Sequence, residues 1–283
     1  MKIAVVTDST SSLNANRAAA ANVAVVPIGV NIGADNLVDG ENATADRIAQ
    51  ALREFIPVST SRPNPAEFGA VYKKLAASGV DEIVSIHLSS KVSGTFESAE
   101  LAAKESEVPV HVVDSAQVGI ATGFVVLNAA RAVVRGDSAF EVVEIAKQTS
   151  AGAITYFYVD TLEYLRRGGR ISGAAAVVGS ALAVKPLLSI DEGIIKPVEK
   201  VRTSSKALAR LHDLVVTRVA SIPGQVELGV QHLDARTVAT NFAGKLANTL
   251  GMREIEVSEV GASLAAHVGP GMISVAIVPH LVD

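Results

Sequence analysis

The sequence has no cysteine and no tryptophan, and aromatic residues make up only 4% of it. Without cysteine there are no disulfides, no thiolate nucleophile and no cysteine metal site. With so few rings the core has to be aliphatic, built on Val, Ile, Leu and Ala. No run of about 18 apolar residues is present, so no segment reads as a membrane-spanning helix. Excess positive charge is missing too. The formal net charge is −4, and non-specific nucleic-acid binding needs a concentrated positive field. The apolar run that follows Lys2 is too short for a secretory leader. A cytoplasmic protein is expected. What is present is a chain of 283 residues, 49% of them hydrophobic. That length supports one large domain or two ordinary ones with a sizeable core.

The first half alternates strand and helix patterns. Lys2–Thr7 and Val23–Val30 read as strands, as do the runs EIVSIHL and Val108–Asp114. Thr44–Phe55 carries Ile48, Ala51, Leu52 and Phe55 on one helical face. Asn64–Gly79 reads as a helix with Asn64 as N-cap, Pro65 in the first turn and Glu67 completing a capping box. Ser138–Thr149 carries a second Ser-x-x-Glu box. Alternation of this kind implies a parallel sheet with helices on its faces. Ligands then bind beyond the carboxyl ends of the strands. From about residue 153 the order changes: Lys185–Arg202 reads as a hairpin about Asp191-Glu192-Gly193. The expected fold is α/β in two domains. Residues 1–152 form an N-terminal parallel-sheet domain, and residues 153–283 a C-terminal mixed-sheet α+β domain.

Hydroxyl residues crowd the junction between strand and helix at SSKVSGTFESA. Ser93, Gly94 and Thr95 fall at a helix N-terminus, where free N–H groups and the helix dipole favour an anion. Ordinary N-capping explains the same residues equally well. Thr60 and Ser61, in STSRP, form a second such cluster, with a polar turn as the plainer reading. Lys91 is the nearby cation in SSKVSGT, which suits a carboxylate better than a triphosphate. Arg166, Arg167 and Arg170 surround Gly168-Gly169, and Arg170, beyond the turn, is the better binding candidate. His267 falls in the Gly/Pro-rich turn HVGPG, where Gly269 permits close approach to a ligand. No histidine pair has metal-ligand spacing, and no phosphate-loop, dinucleotide or nucleophile-elbow motif occurs. No metal and no cofactor is expected.

Eight stretches together resemble the DegV family: VVTDSTSSL, VSTSRPNPAEF, HLSSKVSGTFESA, VVDS, TLEYLRRGGRIS, KPLLSIDEG, KVR and AHVGPG. The family includes the fatty-acid-binding subunits of bacterial fatty acid kinase. The resemblance implies a long-chain fatty acid held between two α/β domains, with its carboxylate on Thr60, Ser61, Ser93 and Thr95. It implies that His267 lies near that carboxylate or the kinase, and that Arg202 meets the kinase subunit. The family often has Thr where this chain has Val268, so one hydroxyl is missing from that shell. The implied protein is a noncatalytic carrier presenting the carboxylate for acyl phosphate formation, with phospholipid synthesis downstream. Transient membrane contact is left open. The apolar stretch Gly173–Val184 suits a tunnel wall or an ordinary buried helix. Two other readings stay open: a hydrolase or phosphotransferase using Ser93 or Ser61 with His267, and a small-molecule sensor.

Overall fold

The computed structural model of the chain describes residues 1–171 and 184–282. A four-stranded parallel sheet runs in the order Val23–Val26, Ile3–Asp8, Glu82–His87, Val110–Asp114. Ile3–Asp8, buried at every residue, is central. Its alternating side chains serve two cores, because successive residues of a strand face opposite ways. Ala4 and Val6 pack under Phe68, Tyr72 and Ala99 of the helices Pro65–Ala77 and Thr95–Ala103. Ile3 and Val5 pack under Phe124 and Val125 of the helix Ile120–Arg135.

Both expected capping boxes are present. Asn64 and Glu67 exchange their bonds at 2.6 and 3.1 Å, and Ser138 and Glu141 do the same ahead of the helix Ala139–Gly152. Each such cap contributes about 1 kcal/mol. The helix Ile120–Arg135 is buried at 12 of its 16 residues. Apolar side chains all round leave no stripe to detect, and it goes unremarked in the sequence pattern.

A six-stranded mixed sheet follows, in the order Ile194–Val201, Lys185–Asp191, Ile154–Tyr158, Ile273–Pro279, Val226–His232, Glu256–Glu259. All neighbours are antiparallel except the last pair. The hairpin turns at Glu192 and Gly193, both with positive φ. One face of this sheet is covered by the helices Ser204–Ser221 and Arg236–Leu250. The other face is shared. Ala276 and Val278 join the core around the helix Ile120–Arg135. Phe157, Leu188 and Ile190 face a different cover.

That cover is a third sheet, antiparallel, in the order Asp35–Val38, Gly29–Ile32, Val58–Ser61, together with the helices Ala45–Arg53 and Ala262–Val268. It corrects two expectations. Val23–Val30 is not one strand: Val23–Val26 pairs in the parallel sheet and Gly29–Ile32 in this one. Pro27, which has no N–H to give to a ladder, marks the break, and Ile28 N donates to Ser9 Oγ at 3.0 Å. Thr60 and Ser61 lie on the strand Val58–Ser61, not in a turn. The stretch Gly173–Val184 lies outside the described residues, apart from Val184. Among the described residues no helix is long and apolar enough to cross a membrane.

Candidate ligand cavity

The loop after the strand Glu82–His87 spends most of its hydroxyls on the protein itself. Ser89 Oγ donates to Gly193 O at 2.7 Å, and Lys91 Nζ donates to Glu192 O at 2.8 Å. Both fix the tip of the Lys185–Val201 hairpin. Ser90 donates to Asp114 through its hydroxyl at 2.6 Å and its amide at 3.2 Å. Lys91 is therefore a hairpin anchor and not the cation of a ligand cradle. Ser93 is left over. It bonds Thr95 Oγ1 at 2.9 Å and faces a cavity of about 310 Å³.

The cavity lies where the loops of the parallel sheet, the face of the mixed sheet and the cover formed by the third sheet and the helix Ala262–Val268 meet. Ile28, Leu88, Val118, Phe157, Ile190 and Met272 supply apolar wall. Several polar side chains that reach it are already engaged elsewhere. Thr10 donates to Asp8, Thr155 to Gln117 at 3.0 Å, and Gln231 Oε1 accepts from Ile120 N at 2.9 Å.

Polar groups that remain form a ring of neighbours. Arg170 Nε donates to Val92 O at 3.1 Å, next to Ser93. A Cβ on Gly94 would lie 2.0 Å from Arg62 Nη1, so glycine is what lets that guanidinium cross there. Arg62 comes just after Ser61, the last residue of the strand Val58–Ser61, and Thr60 Oγ1 meets His267 Nε2 at 2.9 Å. His267 Nδ1 lies against Gly168, whose added Cβ would be 2.2 Å away. Gly168 leads back to Arg170. Thr60, Ser61, Arg62, Ser93, Gly94, Arg170 and His267 all line the cavity, and Ser61 and Arg62 are exposed, so this polar end reaches solvent. The helix Thr95–Ala103 begins at Gly94 with no side-chain cap, leaving amide donors of its first turn unclaimed by any side chain.

Two residues expected at the ligand, Thr95 and Gly269, are not in the cavity lining. Thr95 is fully buried behind Ser93. Gly269, at φ 75°, ends the helix Ala262–Val268 and makes room for the Tyr164 ring. Arg202 is exposed just past the strand Ile194–Val201. His267 stands in the last turn of the helix Ala262–Val268 and not in the Gly/Pro turn that follows. Asp39 anchors that helix. It accepts from Ala262 N at 2.9 Å, from Ser263 Oγ at 2.5 Å and from Ser9 Oγ at 2.9 Å, and burial raises its pKa.

Burial pushes the His267 imidazole down to about 4, and the positive charge of Arg170 adds to the effect. At neutral pH the ring is uncharged. Its buried Nδ1 has no hydrogen-bond partner among the described residues. Among the described residues no carboxylate bonds it, and its hydroxyl partner is Thr60, while Ser93 bonds Thr95, so neither Ser61 nor Ser93 is paired with it as nucleophile and base. A carboxylate–imidazole–hydroxyl series does exist beneath the cavity: Asp8 Oδ2 to His87 Nδ1 at 2.9 Å, and His87 Nε2 to Ser85 Oγ at 2.7 Å. Asp8, Ser85 and His87 are 0% exposed, so no substrate reaches them.

Among the residues absent from the sequence reading, Arg62 and Asp39 matter most. Arg62 lies inside STSRP, and its charge is the available signal. Asp39 had none, because its partners come from the far end of the chain.

A family model described as an uncharacterised protein of the DegV family matches residues 2–280. A DegV domain-containing protein of Streptomyces coelicolor is 46% identical over 276 residues, covering 97% of this chain and 98% of that one. A DegV family protein from Thermus thermophilus, described for its fatty acid binding, superposes with a TM-score of 0.90 at 33% identity, covering 98% of this chain and 99% of the other. DegV of Bacillus subtilis, described as a fatty acid binding protein, gives 0.90 at 31% identity with the same coverage.

Proposed function

This chain belongs to the DegV family, and we propose that it is a fatty-acid carrier that presents the carboxylate of its cargo to an ATP-dependent kinase subunit. The observation that carries this reading is a ring of hydroxyls, arginines and a neutral histidine at one end of a cavity with an extensive apolar wall. The two proposed domains, 1–152 and 153–283, enclose the acyl chain. Each methylene withdrawn from water contributes about 0.8 kcal/mol, so the tail supplies affinity and the ring supplies orientation.

The carboxylate accepts hydrogen bonds from Ser93 Oγ and Thr60 Oγ1. In the tautomer with hydrogen on Nε2, His267 donates to Thr60, which frees the Thr60 hydroxyl hydrogen for the anion. Arg170, fixed by Val92 O, balances the charge. The uncapped helix at Gly94 adds amide donors. Ser61 and Arg62 sit at the solvent end, where a partner enzyme reaches the head group. A carboxylate oxygen attacks the terminal phosphorus of ATP on the partner, ADP leaves, and the acyl phosphate stays on the same donors. The carrier supplies no nucleophile.

Arg202, exposed and outside the cavity lining, is the proposed contact for the kinase subunit. The test is to load Arg202→Ala with palmitate and measure both bound lipid and acyl phosphate formed with kinase and ATP. Unchanged loading with transfer reduced tenfold or more is the expected result. Lost loading with the fold intact would contradict the assignment.

A further inference from the structure

Two arginines line the polar end of the cavity, while no aspartate or glutamate lines it among the described residues. The internal stretch not described, residues 172–183, contains no acidic residue in its sequence. Arg170 meets the carbonyl oxygens of Val92 and Gly168. Neutral acceptors leave its charge in place. Neither Arg62 nor Arg170 is in an ion pair among the described residues, although eight other arginines are. His267 adds no charge at neutral pH. The ring therefore carries two positive charges with no fixed negative charge facing them.

A monoanionic carboxylate neutralises one of the two. Arg170 suffices for it, being tied beside Ser93 on the same side as Thr60 and His267. Arg62 lies across Gly94, toward solvent, one step farther out. An arginine fork suits the oxygens of a phosphoryl group. We propose that the site prefers a long chain ending in a dianionic phosphoryl group to the corresponding free acid, and that Arg62 makes the distinction. This rests on the fatty-acid reading above, in which the acyl phosphate is such a ligand. It adds that the carrier holds the phosphorylated product more tightly than the substrate.

Hexadecylphosphonate is a stable probe of that head group. The experiment compares its dissociation constant with that of palmitate for the delipidated wild-type chain, Arg62→Gln and Arg62→Lys, across a pH range in which the phosphonate gains its second charge. The wild type is expected to bind the phosphonate at least tenfold more tightly once it is a dianion, with the advantage fading as it becomes a monoanion. Arg62→Gln weakens both ligands but brings their ratio near one, and Arg62→Lys keeps part of the preference. A merely structural role for Arg62 would lower both affinities alike at every pH. Equal affinities in the wild type, or a preference that survives Arg62→Gln, would overturn the proposal. A chain that takes up neither ligand would instead overturn the fatty-acid reading. Lysophosphatidate, run alongside, separates an acyl-phosphate-like head from a phospholipid fragment: tighter binding of the phosphonate supports the former, and tighter binding of the lysolipid overturns the acyl-phosphate assignment.

Discussion

Two histidines of this chain sit among hydroxyl groups, and the protein treats them in opposite ways. His87 has both ring nitrogens bonded, one to Asp8 and one to Ser85, while Ser85 also bonds the Tyr72 hydroxyl at 2.8 Å. The phenol is buried deeply enough that its pKa rises to about 12. Every member has its partners and none meets solvent or the cavity. Among the described residues His267 has one nitrogen on Thr60 and the other without a partner, at the edge of a cavity lined by two arginines that form no ion pair. Buried polar groups in native proteins are almost always satisfied. The first network is complete and joins the parallel sheet to the helix Pro65–Ala77; the second is incomplete and lines the cavity. The motif-like order of Asp8, His87 and Ser85 would mislead a search based on residue type. The accounting of partners separates the two.

The strongest way to break this comparison is to delete the buried member. His87→Ala strips Asp8 and Ser85 of their partners and removes the edge-on contact with Phe68, whose ring lies 4.9 Å away. The loss is expected to be about 3 kcal/mol or more, read from denaturant unfolding. A loss within about 0.5 kcal/mol, the range of neutral surface changes, would show that the network does not carry the sheet.

Acid sharpens the comparison at the other histidine. His267 titrates near 4 in the folded chain, below the ordinary histidine value of 6.5. As pH falls, the unfolded chain takes up this proton first. Stability is therefore full above pH 6.5 and is lost progressively between 6.5 and 4. The single group accounts for up to about 3 kcal/mol of that loss. Unfolding curves across this window should steepen for the wild type relative to His267→Gln. The imidazole resonances should titrate near 4, and Arg170→Gln should raise that midpoint.

A smaller effect is expected at the hydroxyls. Thr60→Ala and Ser93→Ala should each weaken palmitate binding about tenfold, in line with the loss of one charge-assisted hydrogen bond. Neither should change unfolding by more than about 1 kcal/mol. Equal palmitate affinity in both variants would remove these residues from the site.

How far the sequence reveals all this depends on the range of the interactions. Local chemistry was readable: the capping boxes at Asn64 and Ser138, the hairpin at Glu192-Gly193, and the change from parallel to mixed sheet. The split of Val23–Val30 between two sheets was not, because either half is a good strand and only the distant partners decide. The position of His267 on a helix depends on Asp39, more than 200 residues away, capping Ala262. Resemblance to the family named Thr60, Ser61, Ser93 and His267 together. Only the folded chain brings Arg62 beside Gly94, and only the folded chain shows that Ser89, Ser90 and Lys91 are occupied by the protein itself.

Native mass spectrometry of the purified chain, followed by denaturing extraction of whatever it carries, tests the central claim most directly. One C14–C18 fatty acid per chain, displaced by added palmitate, is the result this account predicts. A chain that is empty as purified and takes up no added fatty acid would contradict it.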